Sequence, residues 1–130
     1  MNQIYLLDTH ALLWWINDDK NLSRRAKAII LEIQNIILVS TATLWEIAIK
    51  QRKGKLIGCE EYLNRYPALH KTWGFNSLDI RPEHAVRAGL LPTEHGDPFD
   101  RMLIAQSQLA NATLITCDPE IRELHPNCLW

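Results

Sequence analysis

The chain has 130 residues, 47% of them hydrophobic and 22% charged, the make-up of one ordinary globular domain and not of a disordered or low-complexity segment. Fourteen Lys and Arg against fifteen Asp and Glu leave a formal charge of -1, so a nucleic-acid partner has to be held by local basic patches, since there is no global positive field.

The first predicted strand is Ile4–Leu7, an unbroken apolar run that ends at Asp8. The apolar stretch from Ala11 to Ile16 follows it; this is the longest such run and is far short of a membrane span. With no basic leader ahead of Asp8, the expectation is a cytoplasmic protein without a secretory signal or membrane segment. Ser23 caps a predicted helix over Arg24–Asn35, with Ala26, Ile29, Ile30 and Ile33 on one stripe. Ile36–Val39 is the second strand. A helix from about Thr41 to Lys53 follows and stops at Gly54, and Thr43-Leu-Trp-Glu46 fits a capping box. The pattern then predicts a helix over about Glu60–Trp73 ended by Gly74, a weaker strand near Ser77–Ile80, and helices opened by Pro82 (to about Leu90) and Pro98 (to about Ala110). A third strong strand is Thr113–Cys117, and a weak one lies at Cys128–Trp130.

None of the three strong runs alternates polar with apolar, the pattern of strands covered on both faces in a parallel sheet. The expected fold is therefore α/β: one three-layer domain over residues 1–130, with a mainly parallel central sheet of four to five strands flanked by helices. Three cysteines without a close pair, Cys59, Cys117 and Cys128, read as reduced core fillers, not as a disulfide frame or a zinc site.

Ligands in such folds bind beyond the carboxyl ends of the strands, and there the sequence places carboxylates. Asp8 follows the first strand, Glu46 lies in the first two turns of the helix after the second, Asp97 and Asp100 bracket Pro98, and Asp118 follows the third strand. Singly, Asp97 reads first as a helix cap and Glu46, Asp100 and Asp118 admit that reading, whereas Asp8, closing an apolar strand, calls for a partner. Together, four carboxylates about 5 Å apart would repel by roughly 3 kcal/mol per pair at an effective dielectric near 20. That exceeds what a cap contributes, so such a cluster must take up protons, recruit basic side chains or bind cations. Oxygen-only ligands select hard ions, Mg²⁺ or Mn²⁺, whose bound waters serve as nucleophiles in phosphodiester cleavage.

The segments Leu7-Asp8-Thr9-His10-Ala11-Leu12-Leu13-Trp14, Ser40-Thr41-Ala42-Thr43-Leu44-Trp45-Glu46, His95-Gly96-Asp97-Pro98-Phe99-Asp100-Arg101-Met102 and Leu114-Ile115-Thr116-Cys117-Asp118, in this order, resemble the PIN-domain ribonucleases in the version found in VapC-type toxins of bacterial toxin–antitoxin pairs. The resemblance implies Mg²⁺- or Mn²⁺-dependent endonucleolytic cleavage of RNA to 5′-phosphate ends, a homodimer, and inhibition by a cognate VapB-like antitoxin. It implies that Asp8, Glu46, Asp100 and Asp118 form the catalytic set, with Asp8, Asp100 and Asp118 as metal ligands. Thr116 matches the family's hydroxyl at the site margin, Asp97 is an extra acid assigned mainly to capping, and Gly96 stands where related sequences often carry a basic residue.

Lys50-Gln-Arg52-Lys53-Gly-Lys55 is the densest basic run; its bland reading is a solvated helix end, its functional one RNA contact through Lys50, Arg52 and Lys53. The five tryptophans read as core or interface anchors, one of Trp14 and Trp15 facing a partner. His10 and His95 lie near the site by family position, but read first as packing or hydrogen-bonding residues. Two alternatives stand beside the toxin reading: a PIN nuclease for routine RNA processing without an antitoxin, and a Mg²⁺-binding signalling domain whose strand-end Asp accepts phosphate. The second calls for paired acids near the first strand, which Asn2-Gln3 does not supply.

Overall fold

The three strong apolar runs form the middle of one sheet in the computed structural model, which describes residues 3–56 and 58–130. In chain order the elements are β1 (Ile4–Leu7), α1 (Thr9–Ile16), α2 (Arg24–Leu31), β2 (Ile36–Ser40), α3 (Thr41–Arg52), α4 (Glu60–Trp73), β3 (Phe75–Leu78), α5 (Pro82–Leu90), α6 (Pro98–Ala110), β4 (Thr113–Ile115), α7 (Pro119–Leu124) and β5 (Cys128–Leu129). The sheet order is β3-β2-β1-β4-β5, and every pairing is parallel.

Successive residues of a strand point to opposite faces, and here both faces are covered. Leu7, Ile37, Val39 and Ile115 face one core with Ala11, Leu12, Ala26, Ile30, Ile47 and Tyr62. Leu6 and Leu114 face the other, against Leu103, Ile104 and Ile121 of α6 and α7. This explains why the strands show no alternation in sequence: no face is left for water.

Several boundaries differ from expectation. The helix α1 starts directly after β1, because Asp8 is its N-cap and accepts from the Ala11 N–H at 2.7 Å. The second helix ends at Leu31, short of Asn35; Glu32 leaves it in extended geometry and its carboxylate accepts from Gln34 N. The edge strand lies at Phe75–Leu78, two residues before Ser77–Ile80, because Gly74 (φ 75°) turns the chain out of α4 straight into it. The third strong strand stops at Ile115. The capping box at Thr43 is not formed: Ser40 caps α3, accepting from Ala42 N at 3.0 Å, while Thr43 is buried within the helix.

Candidate active site

The carboxyl ends of β1 and β4 stand side by side in the sheet, and each leads into an aspartate that caps the next helix. Asp8 is 4% exposed; one of its oxygens holds the α1 N-terminus, and its own N–H donates to the Ile115 carbonyl across the sheet. Asp118 caps α7 through the N–H groups of Glu120 and Ile121. Thr116, fully buried between them, hydrogen bonds to the Asp8 carboxyl and accepts from Asp118 N at 3.1 Å. Asp100 enters from the first turn of α6, and Asp97 caps that helix through Phe99 N and Asp100 N.

Three of the expected acids thus share one electrostatic site. Burial pushes the Asp8 carboxyl up to about 6; hydrogen bonds from Thr116 and Ala11 offset part of this, and the Asp100 charge adds to it. Asp100 is also raised, first by burial, with the Asp97 and Asp118 charges adding and His95 opposing. Each of these two is destabilised as an anion by its surroundings, and Asp8 has no Lys or Arg partner among the described residues.

Glu46 differs. It is buried on α3, accepts from the Thr9 hydroxyl at 2.6 Å on one oxygen, and meets Lys50 Nζ at 2.7 Å with the other. It reaches the site through Thr9, the neighbour of Asp8, but its charge is already matched. Lys50 is correspondingly pinned, while Arg52 and Lys53 lie exposed at the α3 end.

The structure adds contacts that the sequence did not reveal. His95 lies between two acids, Nε2 at 2.9 Å from Asp100 and Nδ1 at 2.8 Å from Glu120, so it joins the N-termini of α6 and α7. The carboxylate at Asp100 raises its pKa. Arg101, beside Asp100 in sequence, turns away from the acids altogether. Its guanidinium donates to the carbonyls of Ala88, Gly89, Leu91, Thr93 and His95 at 2.9–3.1 Å, fixing the loop that presents His95. The i,i+4 spacing of Glu46 and Lys50 is a signal that could have found their pair; the Glu120–His95 contact, made across the fold, left no local signal.

A divalent cation fits this donor set. Asp8, Asp100 and Asp118 offer only oxygen, the chemistry hard ions require, and the buried, unpaired Asp8 carboxyl is the kind of charge that a cation relieves. No group of three or more His, Cys, Asp or Glu side chains among the described residues is drawn together closely enough to hold a metal ion by itself.

Elsewhere, Trp14 packs on His10 and Trp130, and Trp15 on Trp73 and Phe75, both against the core; the prominently exposed tryptophan is Trp45, at 61%. All three cysteines are free thiols. Among the described residues no helix is long and apolar enough to cross a membrane.

The PIN domain family profile matches residues 5–125. No curated protein matches the sequence. Among solved structures, the chain is similar to one in the VapBC2 complex of Rickettsia felis bound to a promoter DNA fragment, with 19% identity over 98% of this chain and 96% of that one and a TM-score of 0.68. It is also similar to a chain of a toxin–antitoxin complex from Klebsiella pneumoniae, with 25% identity over 97% of this chain and 96% of that one and a TM-score of 0.65.

Proposed function

The chain belongs to the PIN domain family, and from that membership we propose that it is a Mg²⁺-dependent endoribonuclease acting as the toxin of a toxin–antitoxin pair. The observation that carries the reading is the convergence of Asp8, Asp100 and Asp118 at adjoining strand and helix ends, with Asp8 buried and unpaired. A neighbour from a toxin–antitoxin complex that overlaps almost the whole chain supports the toxin half of the reading over a nuclease for routine RNA processing.

Asp8 and Asp100 would hold the cation, with Asp118 at the margin. When bound, the ion supplies a water of lowered pKa and positive charge beside the scissile phosphate. The chain's own residues supply the positioning. Ala11 N–H and Thr116 fix the Asp8 carboxylate, His95 holds one oxygen of Asp100, and Thr9 and Lys50 orient Glu46. Burial keeps bulk water from screening these charges. Catalysis then rests on charge and placement, with no covalent intermediate on the protein. Asp97 serves α6 as its cap and is accessory at most.

The partners that follow are an RNA substrate, a second copy of the chain in a homodimer, and a VapB-like antitoxin covering the acids. Asp8→Asn and Asp100→Asn are each expected to lower Mg²⁺-dependent RNA cleavage by about a hundredfold or more, the order of loss when one preorganised charge contact is removed, with the far-ultraviolet circular dichroism spectrum unchanged. RNA fragment-end mapping after brief expression, parent beside Asp8→Asn, reads both the cut sites and the 5′-phosphate. Asn variants that cut as fast as the parent would refute the assignment.

A further inference from the structure

Next to the acids, between the end of α3 and the start of α6, lies a cavity of about 300 Å³. Lys50, Lys53 and Lys55 form its polar wall, and Ile49 and Phe99 its apolar floor. Glu46 and Asp97 border it too; Glu46 is paired with Lys50, while Asp97 caps α6 through one oxygen and keeps its charge. Lys53 and Lys55 have no ion-pair partner among the described residues. Three ammonium groups against two carboxylates leave the cavity one net positive charge, carried on the side of Lys53 and Lys55. Trp45 stands edge-on to Phe99, ring centroids 5.2 Å apart at 77°, and leaves most of its own surface in solvent.

We propose that this cavity is a subsite for one nucleotide of single-stranded RNA flanking the scissile bond, its base against Phe99 and its phosphate on Lys53 and Lys55. This rests on the nuclease reading and extends it to the substrate's path. The volume lies at the small end of the ~300–1,000 Å³ range of ligand sites, suited to one nucleotide and too small for a duplex. An aromatic floor beside free lysines is the combination by which single strands are held without sequence-specific base pairing. The cavity shares Glu46 with the acidic site and is walled by the first turn of α6, which also carries Asp100. The geometry also divides the basic run: Lys53 and Lys55 meet the phosphate, Lys50 is held by Glu46, and Arg52 does not line the cavity. An acidic peptide would satisfy the lysines but would leave Phe99 and Ile49 without a flat partner. A larger cavity of about 640 Å³ between α5 and α6 is bordered by none of the candidate catalytic acids.

The test is fluorescence anisotropy with a fluorescein-labelled single-stranded oligoribonucleotide in EDTA, where nothing is cut. The Lys53→Gln, Lys55→Gln double variant is expected to weaken binding about tenfold at low salt and to reduce the log–log salt slope by about 0.7, the amount for one phosphate of a single strand no longer neutralised. Phe99→Leu is expected to weaken binding about tenfold, or about 1.4 kcal/mol, with the slope unchanged, while Phe99→Trp retains parental affinity. That contrast separates stacking from a packing defect. Parental affinity and slope in the lysine double variant and Phe99→Leu would overturn the subsite. So would a lysine variant that loses poly-L-glutamate binding but keeps RNA, which would make the cavity a protein-docking site. A parent that neither binds nor cuts RNA refutes the nuclease reading and the subsite with it. A parent that cuts in Mg²⁺, beside variants that bind as it does, refutes the subsite alone.

Discussion

Asp8 closes β1 with its carboxylate 4% exposed and one oxygen committed to the α1 N-terminus. Burial pushes its pKa from 3.8 to about 6, so the native state binds that proton more tightly than the unfolded chain does. The stabilisation this gives is complete at low pH and is lost as pH rises from about 4 through about 6. Above that range the buried charge costs the fold up to about 3 kcal/mol, at about 1.4 kcal/mol per pH unit. Asp8→Asn keeps an oxygen for Ala11 N–H and carries no charge. Scanning calorimetry should find it melting several degrees above the parent near pH 7.5 and level with it near pH 4; a difference that does not vary with pH would show that the charge is not the cause. At this scale the sequence was informative because Asp8 and Asp118 directly end apolar runs. It was silent on the meeting of His95 with Glu120, which comes about only through the docking of α6 and α7.

Arg101 shows what an element boundary conceals. Its guanidinium holds five carbonyls from the end of α5 through the loop before α6, including that of His95. Hydrogen bonds from a charged donor are worth about 1.5–3 kcal/mol each and add poorly within one cluster. Lys lacks the planar fork and can serve only part of the set. Arg101→Lys should therefore destabilise the chain by about 2 kcal/mol in urea, with faster amide exchange confined to residues 89–96. Uniformly faster exchange would mean a global loss instead. The same logic separates the legible elements from the missed ones. Helices α5 and α6 announce themselves with proline at the first position. The shift of β3 to Phe75–Leu78 was hidden because it is an edge strand with Asn76 and Ser77 exposed to solvent, so polarity masked its start. The helix α1 was hidden for the opposite reason: apolar on nearly every side, it shows no stripe, and its cap is the residue that the site also uses.

Over the whole molecule, the sheet order β3-β2-β1-β4-β5 means that the chain grows outward from β1 in one direction and then returns to start again on its other side with β4. The crevice at that reversal is where ligands of open parallel sheets bind, and it is where Asp8 and Asp118 stand. Non-alternating strands revealed that the sheet was parallel and buried, but strand order depends on which crossovers pack, and no local pattern encodes it. The same topology couples the site to global stability. A cation that binds the assembled acids and not the unfolded chain stabilises the fold by RT ln(1 + [L]/Kd), about 2.7 kcal/mol at a hundred times Kd. Protons compete for the same oxygens, and Asp8 takes one up near pH 6. Mn²⁺ should therefore raise the melting temperature of the parent near pH 7.5, raise it progressively less as pH falls through 6, and leave that of Asp8→Asn almost unmoved. An equal rise at pH 5, or in the Asn variant, would place the ion somewhere other than the crevice between β1 and β4.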